Sequence, residues 1–207
     1  MRTVKEAAER KNEILDVAEE LFATKGYDAT STNDILNRIG IARGTLYYHF
    51  ESKESILDAL IERISNRLIA EAGRVAANKE VSVIERIVQS VMSLNVESSI
   101  AIEVMEQVHK PQNALMHQKM QGHLLDGIVP IIATLIKEGI EEGVFATEYP
   151  VQTAEMLMVY SISAFDESNI HTSAQLQERV KAFIYNTEKL VGAKPGSMAE
   201  SMMRIFV

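Results

Sequence analysis

The sequence predicts an all-α protein of about nine helices, and three features of the chain lead to that prediction. Apolar side chains recur at spacings of three and four residues through most of the 207 positions, as on one face of a helix. No stretch alternates apolar and polar residues in the manner of a strand. Serine, threonine, glycine and proline stand where the helical segments begin and end. With 46% hydrophobic residues, the chain can also form a sizeable core.

The first predicted helix spans about residues 8–25. Its apolar face consists of Ile14, Leu15, Ala18, Leu21 and Phe22. Gly26 ends the helix, because glycine tolerates the backbone conformation that a helix C-terminus requires. We expect this helix to pack across the two short helices that follow and to fix the angle between them.

Two short helices joined by a tight turn are predicted between residues 31 and 50. Ser31 and Asp34 have the spacing of a capping box, in which each residue satisfies backbone groups at the start of a helix. Gly40 supplies the permissive backbone for the turn. In the second short helix, Leu46 and Phe50 lie four residues apart and share a buried face.

The other side chains of the second short helix can donate hydrogen bonds to a phosphate or to a base edge. They are a cation, a hydroxyl, two phenols and an imidazole, namely Arg43, Thr45, Tyr47, Tyr48 and His49. Gly44 leaves the helix start bare, so that backbone N–H groups can approach a phosphate closely. Lys53 opens the next helix, where a positive charge is unfavourable unless an anion lies nearby. This pattern predicts a helix-turn-helix that binds DNA.

Between about residues 14 and 60 the chain resembles the TetR family of bacterial transcriptional repressors. The resemblance rests on a framework at fixed spacing: Ala18, Leu21, Phe22, Gly26, Tyr27, Thr30, Ile35, Gly40, Gly44, Thr45, Tyr47, Tyr48, His49, Phe50, Lys53 and Leu57. Ala42 departs from it, since the family usually has serine or another N-cap residue there. The resemblance implies that Arg43, Thr45 and Tyr47 meet base edges or adjacent phosphates. It also implies a second set of residues that hold the DNA backbone: Tyr48, His49, Lys53, Ser31 and Thr32.

The predicted organisation is a DNA-binding domain of residues 1–52 and an effector-binding and dimerisation domain of residues 53–207. The helix that links them, residues 53–76, would extend about 35 Å at roughly 1.5 Å per residue. Further helices are predicted near residues 82–94, 98–109, 113–142, 150–165 and 172–191. Pro130 is expected to weaken or kink the third of these. The tail after Gly196 is left open between a short apolar-faced helix and a disordered end.

In proteins of the family, the last two long helices of each chain form a four-helix dimer interface, and the middle helices enclose an effector cavity. The apolar side chains of these two helices suit either a core or a dimer seam. A homodimer is favoured because two recognition helices that read a palindrome gain affinity together. The resemblance thus implies a repressor that a small molecule releases from its operator. A transcriptional activator, and a protein that acts through protein contacts alone, stay open as alternatives.

The residues predicted to contact the effector are mostly methionines, whose flexible side chains suit adaptable ligand walls as well as irregular cores. They are Met92, Met105, His109, Met116, Met120, His123, Met156 and Tyr160. Core packing is the default role of such methionines. A metal site formed by His109, His117 and His123 with nearby acidic residues is the alternative. Because His117 and His123 are six residues apart, they do not share a helix face, and we predict no metal and no cofactor.

Composition limits the remaining classes of function. The chain has no cysteine, which excludes disulfides and thiolate metal sites, and no apolar run approaches the roughly 20 residues of a membrane helix. We therefore expect a cytoplasmic protein with no membrane partner. No serine elbow or phosphate-cradling glycine loop nominates an enzyme. The net charge is −8, and residues 1–55 hold 8 basic and 10 acidic residues, which predicts modest non-specific affinity for DNA.

Overall fold

The computed structural model describes residues 7–94, 114–165 and 172–206. Within these ranges the chain forms nine α-helices and no strand, so the predicted all-α class is confirmed. The helices are α1 (Ala7–Lys25), α2 (Thr32–Ile39), α3 (Arg43–His49), α4 (Lys53–Ala76), α5 (Val83–Met92), α6 (Ala114–Glu141), α7 (Pro150–Ala164), α8 (Ser173–Val191) and α9 (Ala199–Met203), followed by a 3-10 turn over Arg204–Phe206. The predicted helix near residues 98–109 lies outside the described residues.

The described residues form two compact units. The N-terminal unit holds residues 7–65 and 114–120, and the C-terminal unit holds residues 66–94, 121–165 and 172–206. Two long helices, α4 and α6, contribute residues to both units. The assignment of residues 1–52 and 53–207 to separate domains stays a prediction.

The core of the N-terminal unit fixes α2 and α3 against the helices that flank them. Most of its buried apolar side chains come from α1 to α4, with Tyr27 in the α1–α2 connection and Phe50 just after α3: Ile14, Leu15, Ala18, Phe22, Tyr27, Ile35, Leu36, Leu46, Phe50, Ile56, Leu57, Leu60, Ile61 and Ile64. Arg63 on α4 joins α1 by donating to Asp16 at 2.6 Å and to Glu19. The short helices α2 and α3 are therefore held by packing against residues distant in the sequence, which stabilises helices too short to persist alone.

Close packing of α4 against α6 characterises the C-terminal unit. A Cβ atom placed on Gly127 would lie 2.3 Å from the Cδ1 atom of Ile69, so only glycine fits there without a shift. One turn further along each helix, Gly73 faces Ile131, where the same construction gives a distance of 3.8 Å. The α6 helix continues through Pro130 without interruption.

A buried arginine joins α4, α5 and α6 in the same unit. Arg86 on α5 is 2% exposed, and its Nε atom donates to the carbonyl oxygen of Ala76, the last residue of α4, at 2.7 Å. Its Nη1 atom donates to Glu138 on α6 at 2.6 Å, and Lys79 pairs with the same carboxylate. A buried charge requires such partners, because an unpaired one is costly to dehydrate.

The C-terminal tail packs on the C-terminal unit. Glu188, buried on α8, accepts hydrogen bonds from the backbone N–H groups of Gly196 at 2.8 Å and Met198 at 2.9 Å. Beyond α9, the ring of Phe206 lies 4.5 Å from the ring of Phe165, measured between centroids. The tail is thus a short helix with an apolar face, the first of the two alternatives that the sequence left open.

Candidate DNA-binding surface

The start of α2 has the capping box that the sequence predicts. The Ser31 hydroxyl accepts from the Asp34 N–H at 3.2 Å, and the Asp34 carboxylate accepts from both the N–H and the hydroxyl of Ser31 at 2.7 Å. Lys25 completes the group at 2.8 Å from Asp34. Hydrogen bonding from Lys25, and then from Ser31, holds the pKa of the Asp34 carboxyl well below its usual range. Because the Ser31 hydroxyl already donates to Asp34, its role in the structure is to cap the helix.

The turn after α2 and the single buried residue of α3 decide which side chains of α3 face outward. Gly40 adopts φ 73°, and its N–H donates to the Leu36 carbonyl at 2.9 Å. Leu46 is fully buried, and Ala42 makes no side-chain cap to α3. Tyr48 is 78% exposed as a result, and Tyr47 is 39% exposed. An outward face on the second short helix is what the spacing of its apolar residues predicts.

Arg43 and Tyr47 lie four residues apart on this outward face and contact each other. The guanidinium carbon of Arg43 is 5.3 Å from the centroid of the Tyr47 ring, within the range of a cation–π interaction. Hydrogen bonding from Arg43, and then from the Thr32 hydroxyl on α2, lowers the pKa of the Tyr47 phenol. These three predicted DNA-contacting residues are therefore neighbours in the structure.

Tyr48 and His49 form a second pair on α3. Their ring centroids are 5.0 Å apart in an edge-to-face arrangement. Thr45 is half-buried, and its N–H donates to the carbonyl of Ala42 at 2.9 Å, which closes the first turn of the helix. Gly44 is exposed, and nothing lies within 4 Å of the position that a Cβ atom would take there. The start of α3 is therefore open to an incoming group.

Lys53, at the start of α4, is held by Tyr27. Its ammonium donates to the Tyr27 carbonyl at 2.9 Å and lies 4.1 Å from the centroid of the Tyr27 ring. Burial raises the pKa of Tyr27 to about 12, and the charge of Glu54 adds to this effect. A lysine ammonium has three donors. Lys53 therefore retains donors for a phosphate while its position is fixed by the protein.

Carboxylates neutralise several cations on α1 and α2. The ion pairs are Arg10 with Glu13, Lys25 with Asp34, and Arg38 with Glu20. Across residues 7–94, 114–165 and 172–206, by contrast, Arg43 forms no ion pair, and its neighbour is the Tyr47 ring. Because a guanidinium has five N–H donors, this one retains donors for an acceptor outside the protein beside any that the Tyr47 phenol engages.

The residues predicted to contact an effector do not form one described cluster. Met105 and His109 lie outside the described residues, as does the Met116 side chain. Met120 is buried in the N-terminal unit, and His123 hydrogen-bonds Asn66 at 2.9 Å. Three of the predicted residues are exposed, namely Met92 at 37%, Met156 at 59% and Tyr160 at 48%. Exposure of this degree on α7 suits an outward-facing surface better than the wall of an enclosed cavity.

An open groove of about 640 Å³ lies between α6 and α7. It is lined by Leu125, Asp126, Val129, Pro130, Ala133, Thr134, Lys137, Val151, Glu155 and Val159, none of which is among the eight predicted effector contacts. Its volume is in the range of small-molecule sites, and its lining mixes apolar residues with charged ones. Polar residues at helical spacing along α6, Asp126, Thr134 and Lys137, are the signal in the sequence that could have indicated it.

The structure also bears on a metal site and on a membrane span. The described ranges, which omit residues 95–113 and 166–171, contain no group of three or more histidine and acidic side chains arranged to hold a metal ion. No helix in these same ranges combines the length and the apolarity needed to cross a bilayer.

Comparison with known proteins identifies both parts of the chain. The family described as "Bacterial regulatory proteins, tetR family" matches residues 14–60, and "Tetracyclin repressor-like, C-terminal domain" matches residues 96–184. The chain is 39% identical over 69 residues to the HTH-type transcriptional repressor KstR2 of Rhodococcus jostii, a match that covers 33% of this chain and 34% of that repressor. It is 22% identical to the HTH-type transcriptional repressor BepR of Brucella suis over 82% of this chain and 85% of BepR.

Solved structures share the fold over most of the chain. A TetR-family transcriptional regulator from Pectobacterium atrosepticum has a TM-score of 0.66 and 23% identity, and the match covers 92% of this chain and 98% of that one. GusR of Salmonella enterica has a TM-score of 0.59 and 20% identity, with 93% of this chain and all of that chain covered. At these identities, the structural matches speak for the fold.

Proposed function

The chain belongs to the TetR family of bacterial regulatory proteins, and from that premise we propose that it is a homodimeric repressor that a small molecule releases from a palindromic operator. The family makes the chain a DNA-binding transcriptional regulator and not an enzyme. Repression is supported by the names of its relatives, since KstR2 and BepR are both transcriptional repressors.

The observation that carries the proposal is the outward face of α3. A buried Leu46 and a buried Phe50 anchor the helix, while Arg43, Tyr47 and Tyr48 are exposed beside them. A helix held in this way can enter the major groove with its polar side chains toward the base edges. In this proposal Arg43, Thr45 and Tyr47 meet bases or adjacent phosphates. The DNA backbone is held by Tyr48, His49, Lys53 and Thr32, with Gly44 at the helix start and Ser31 as the cap of α2.

Dimerisation is supported by exposed apolar side chains on α7 and α8. Met156, Val159 and Tyr160 are 59%, 52% and 48% exposed on α7, and Tyr185 on α8 is 60% exposed. Many other apolar residues of these helices, Ala154 and Phe183 among them, are buried in the core of the chain's own C-terminal unit. Apolar patches on a surface mark interaction sites. We therefore assign the dimer seam to these exposed positions.

We assign the ligand response to the groove between α6 and α7. The groove between α6 and α7 has the volume of a small-molecule site, and Glu155 and Val159 belong to both the groove and the exposed side of α7. An effector acts by preferring one spacing of the two recognition helices, which must be about 34 Å apart to reach successive major grooves. Coupling of about 1–3 kcal/mol between effector and DNA is the usual magnitude.

The test is binding of the purified full chain to the DNA upstream of its own gene, at two salt concentrations and against unrelated DNA of equal length. We expect selective, salt-sensitive binding with two protomers per site. Once an operator is known, compounds that raise the melting temperature are tested for release of that DNA. Operator-bound protein should bind a true effector more weakly by the same factor, since coupling is reciprocal. Absence of selective binding, both here and in selection from random DNA, would contradict the proposed function.

A further inference from the structure

The contact between Arg43 and Tyr47 places an aromatic ring under the guanidinium before any DNA is bound. The two residues are four positions apart on α3, a spacing that brings side chains together on one side of a helix. Their separation is 5.3 Å from guanidinium carbon to ring centroid, and a guanidinium has five N–H donors, more than one phenol can engage.

Tyr47 lies close to the start of α2, since Thr32, the first residue of that helix, contributes to the lowered pKa of the Tyr47 phenol. A free arginine side chain samples many rotamers, and fixing it on DNA costs entropy. A ring that restricts these rotamers beforehand reduces that cost.

The other exposed tyrosine of α3 is different in this respect. Tyr48 is more exposed than Tyr47, at 78%, and its ring contacts His49. Tyr48 and Tyr47 thus have the same chemistry and the same helix, but only Tyr47 touches the guanidinium. Tyr48 is therefore a matched control for Tyr47.

We propose that Tyr47 is a positioning residue that acts through Arg43, orienting the guanidinium toward the edge of a base, and that its ring carries this role. The inference rests on the proposed DNA-binding function. Arg43 gives the protein its preference for one base pair, and Tyr47 makes that preference stronger. This role distinguishes Tyr47 from Tyr48, which contributes to affinity without affecting Arg43.

The experiment is a double-mutant cycle on an operator selected from random DNA with the wild-type chain. Tyr47→Leu keeps an apolar side chain but removes the aromatic face, whereas Tyr47→Phe keeps the face. We expect Tyr47→Leu to weaken operator binding by about 5- to 30-fold, the upper part of the range for a cation–π contact. In an Arg43→Ala background the same change should matter less than about 3-fold, because the cation is gone. Tyr47→Phe should rescue most of the loss.

Base preference provides a readout that a purely structural role would not change. The base pair read by Arg43 is the one whose preference disappears in Arg43→Ala, and Tyr47→Leu should weaken preference at that same pair. Tyr48→Leu should lower affinity equally in both backgrounds and leave the preference intact. In the absence of DNA, the NMR signals of the Arg43 side chain should be shifted upfield by the ring in wild type and Tyr47→Phe, but not in Tyr47→Leu.

Selective binding by wild type together with additive effects of Arg43 and Tyr47 would overturn this inference alone, since Tyr47 would then contact DNA independently. An unshifted Arg43 signal in the wild-type chain would overturn it as well. If the wild-type chain selects no DNA sequence, the proposed function fails and this inference fails with it.

Discussion

The ion pair of the buried Arg86 with Glu138 should make a measurable contribution to stability. Glu138→Ala removes the carboxylate that faces a guanidinium of 2% exposure, while the hydrogen bond from Arg86 to the Ala76 carbonyl remains. Removing one partner of a fully buried pair costs about 3–5 kcal/mol. Glu138 is 24% exposed, so water can reach part of the vacated space. We therefore expect a loss of about 2–3 kcal/mol in the free energy of unfolding.

Thermal unfolding followed by circular dichroism measures this effect. For a chain of this size, about 2–3 kcal/mol corresponds to a fall in Tm of roughly 4–12 °C. Glu141→Ala is the control, because Glu141 is an exposed carboxylate near the end of the same helix. Such a surface change should stay within about 0.5 kcal/mol of wild type. Equal stability of Glu138→Ala and Glu141→Ala would refute the reasoning. The double variant Arg86→Met with Glu138→Leu should be more stable than Glu138→Ala, and a failure to be so would refute it as well.

Substitutions at four positions test the ion pair, the cap of α2, the packing of α4 on α6 and the dimer seam. Hydrogen bonding from Arg86, and then from Lys79, lowers the pKa of Glu138. The stabilisation by the Glu138 carboxylate is therefore complete above the unfolded pKa of about 4.3 and is lost as the pH falls through the folded pKa. The difference in unfolding free energy between wild type and Glu138→Gln should accordingly shrink from pH 7 to pH 3. Ser31→Ala should cost about 1 kcal/mol in urea unfolding, because it removes the cap of α2. Gly127→Ala should destabilise the protein by about 1–3 kcal/mol through overlap with the Ile69 side chain. Adding Ile69→Ala should relieve that overlap, so the double variant should lose less stability than the sum of the two single losses. Additive losses would contradict this. Met156→Asp should yield monomers in light scattering after gel filtration, and an unchanged dimer would place the interface elsewhere.

Features with partners nearby in the sequence could be predicted before the structure. Ser31 and Asp34 are three residues apart, and the capping box between them is present. Gly40 has the positive φ expected of a turn glycine, and Ala42 provides no cap, as its side chain requires. The exposure of Tyr48 follows in the same way from the apolar spacing on α3. Each of these depends on chemistry within one or two helical turns.

Contacts between distant residues could not be predicted in this way. Arg86 and Glu138 are 52 residues apart, and no local pattern indicates that a buried arginine on α5 has a carboxylate partner on α6. The same applies to Lys53, whose acceptor is the backbone carbonyl of Tyr27. Methionine content suggested an effector site, but methionine fills a core as readily as it lines a cavity. The residues that line the α6–α7 groove come from two helices that only the fold brings together.

The ion pairs between α1 and α2 have a consequence for a regulator inside a cell. A bacterial chromosome presents about 10⁶ or more competing sites, and each chain held on one of them is withdrawn from its operator. Because Lys25 and Arg38 already face carboxylates, they attract bulk DNA weakly. We therefore expect only a small fraction of this protein to be bound at non-specific chromosomal sites. A low number of copies should suffice to occupy one operator, and the amount of effector needed for release should be correspondingly low.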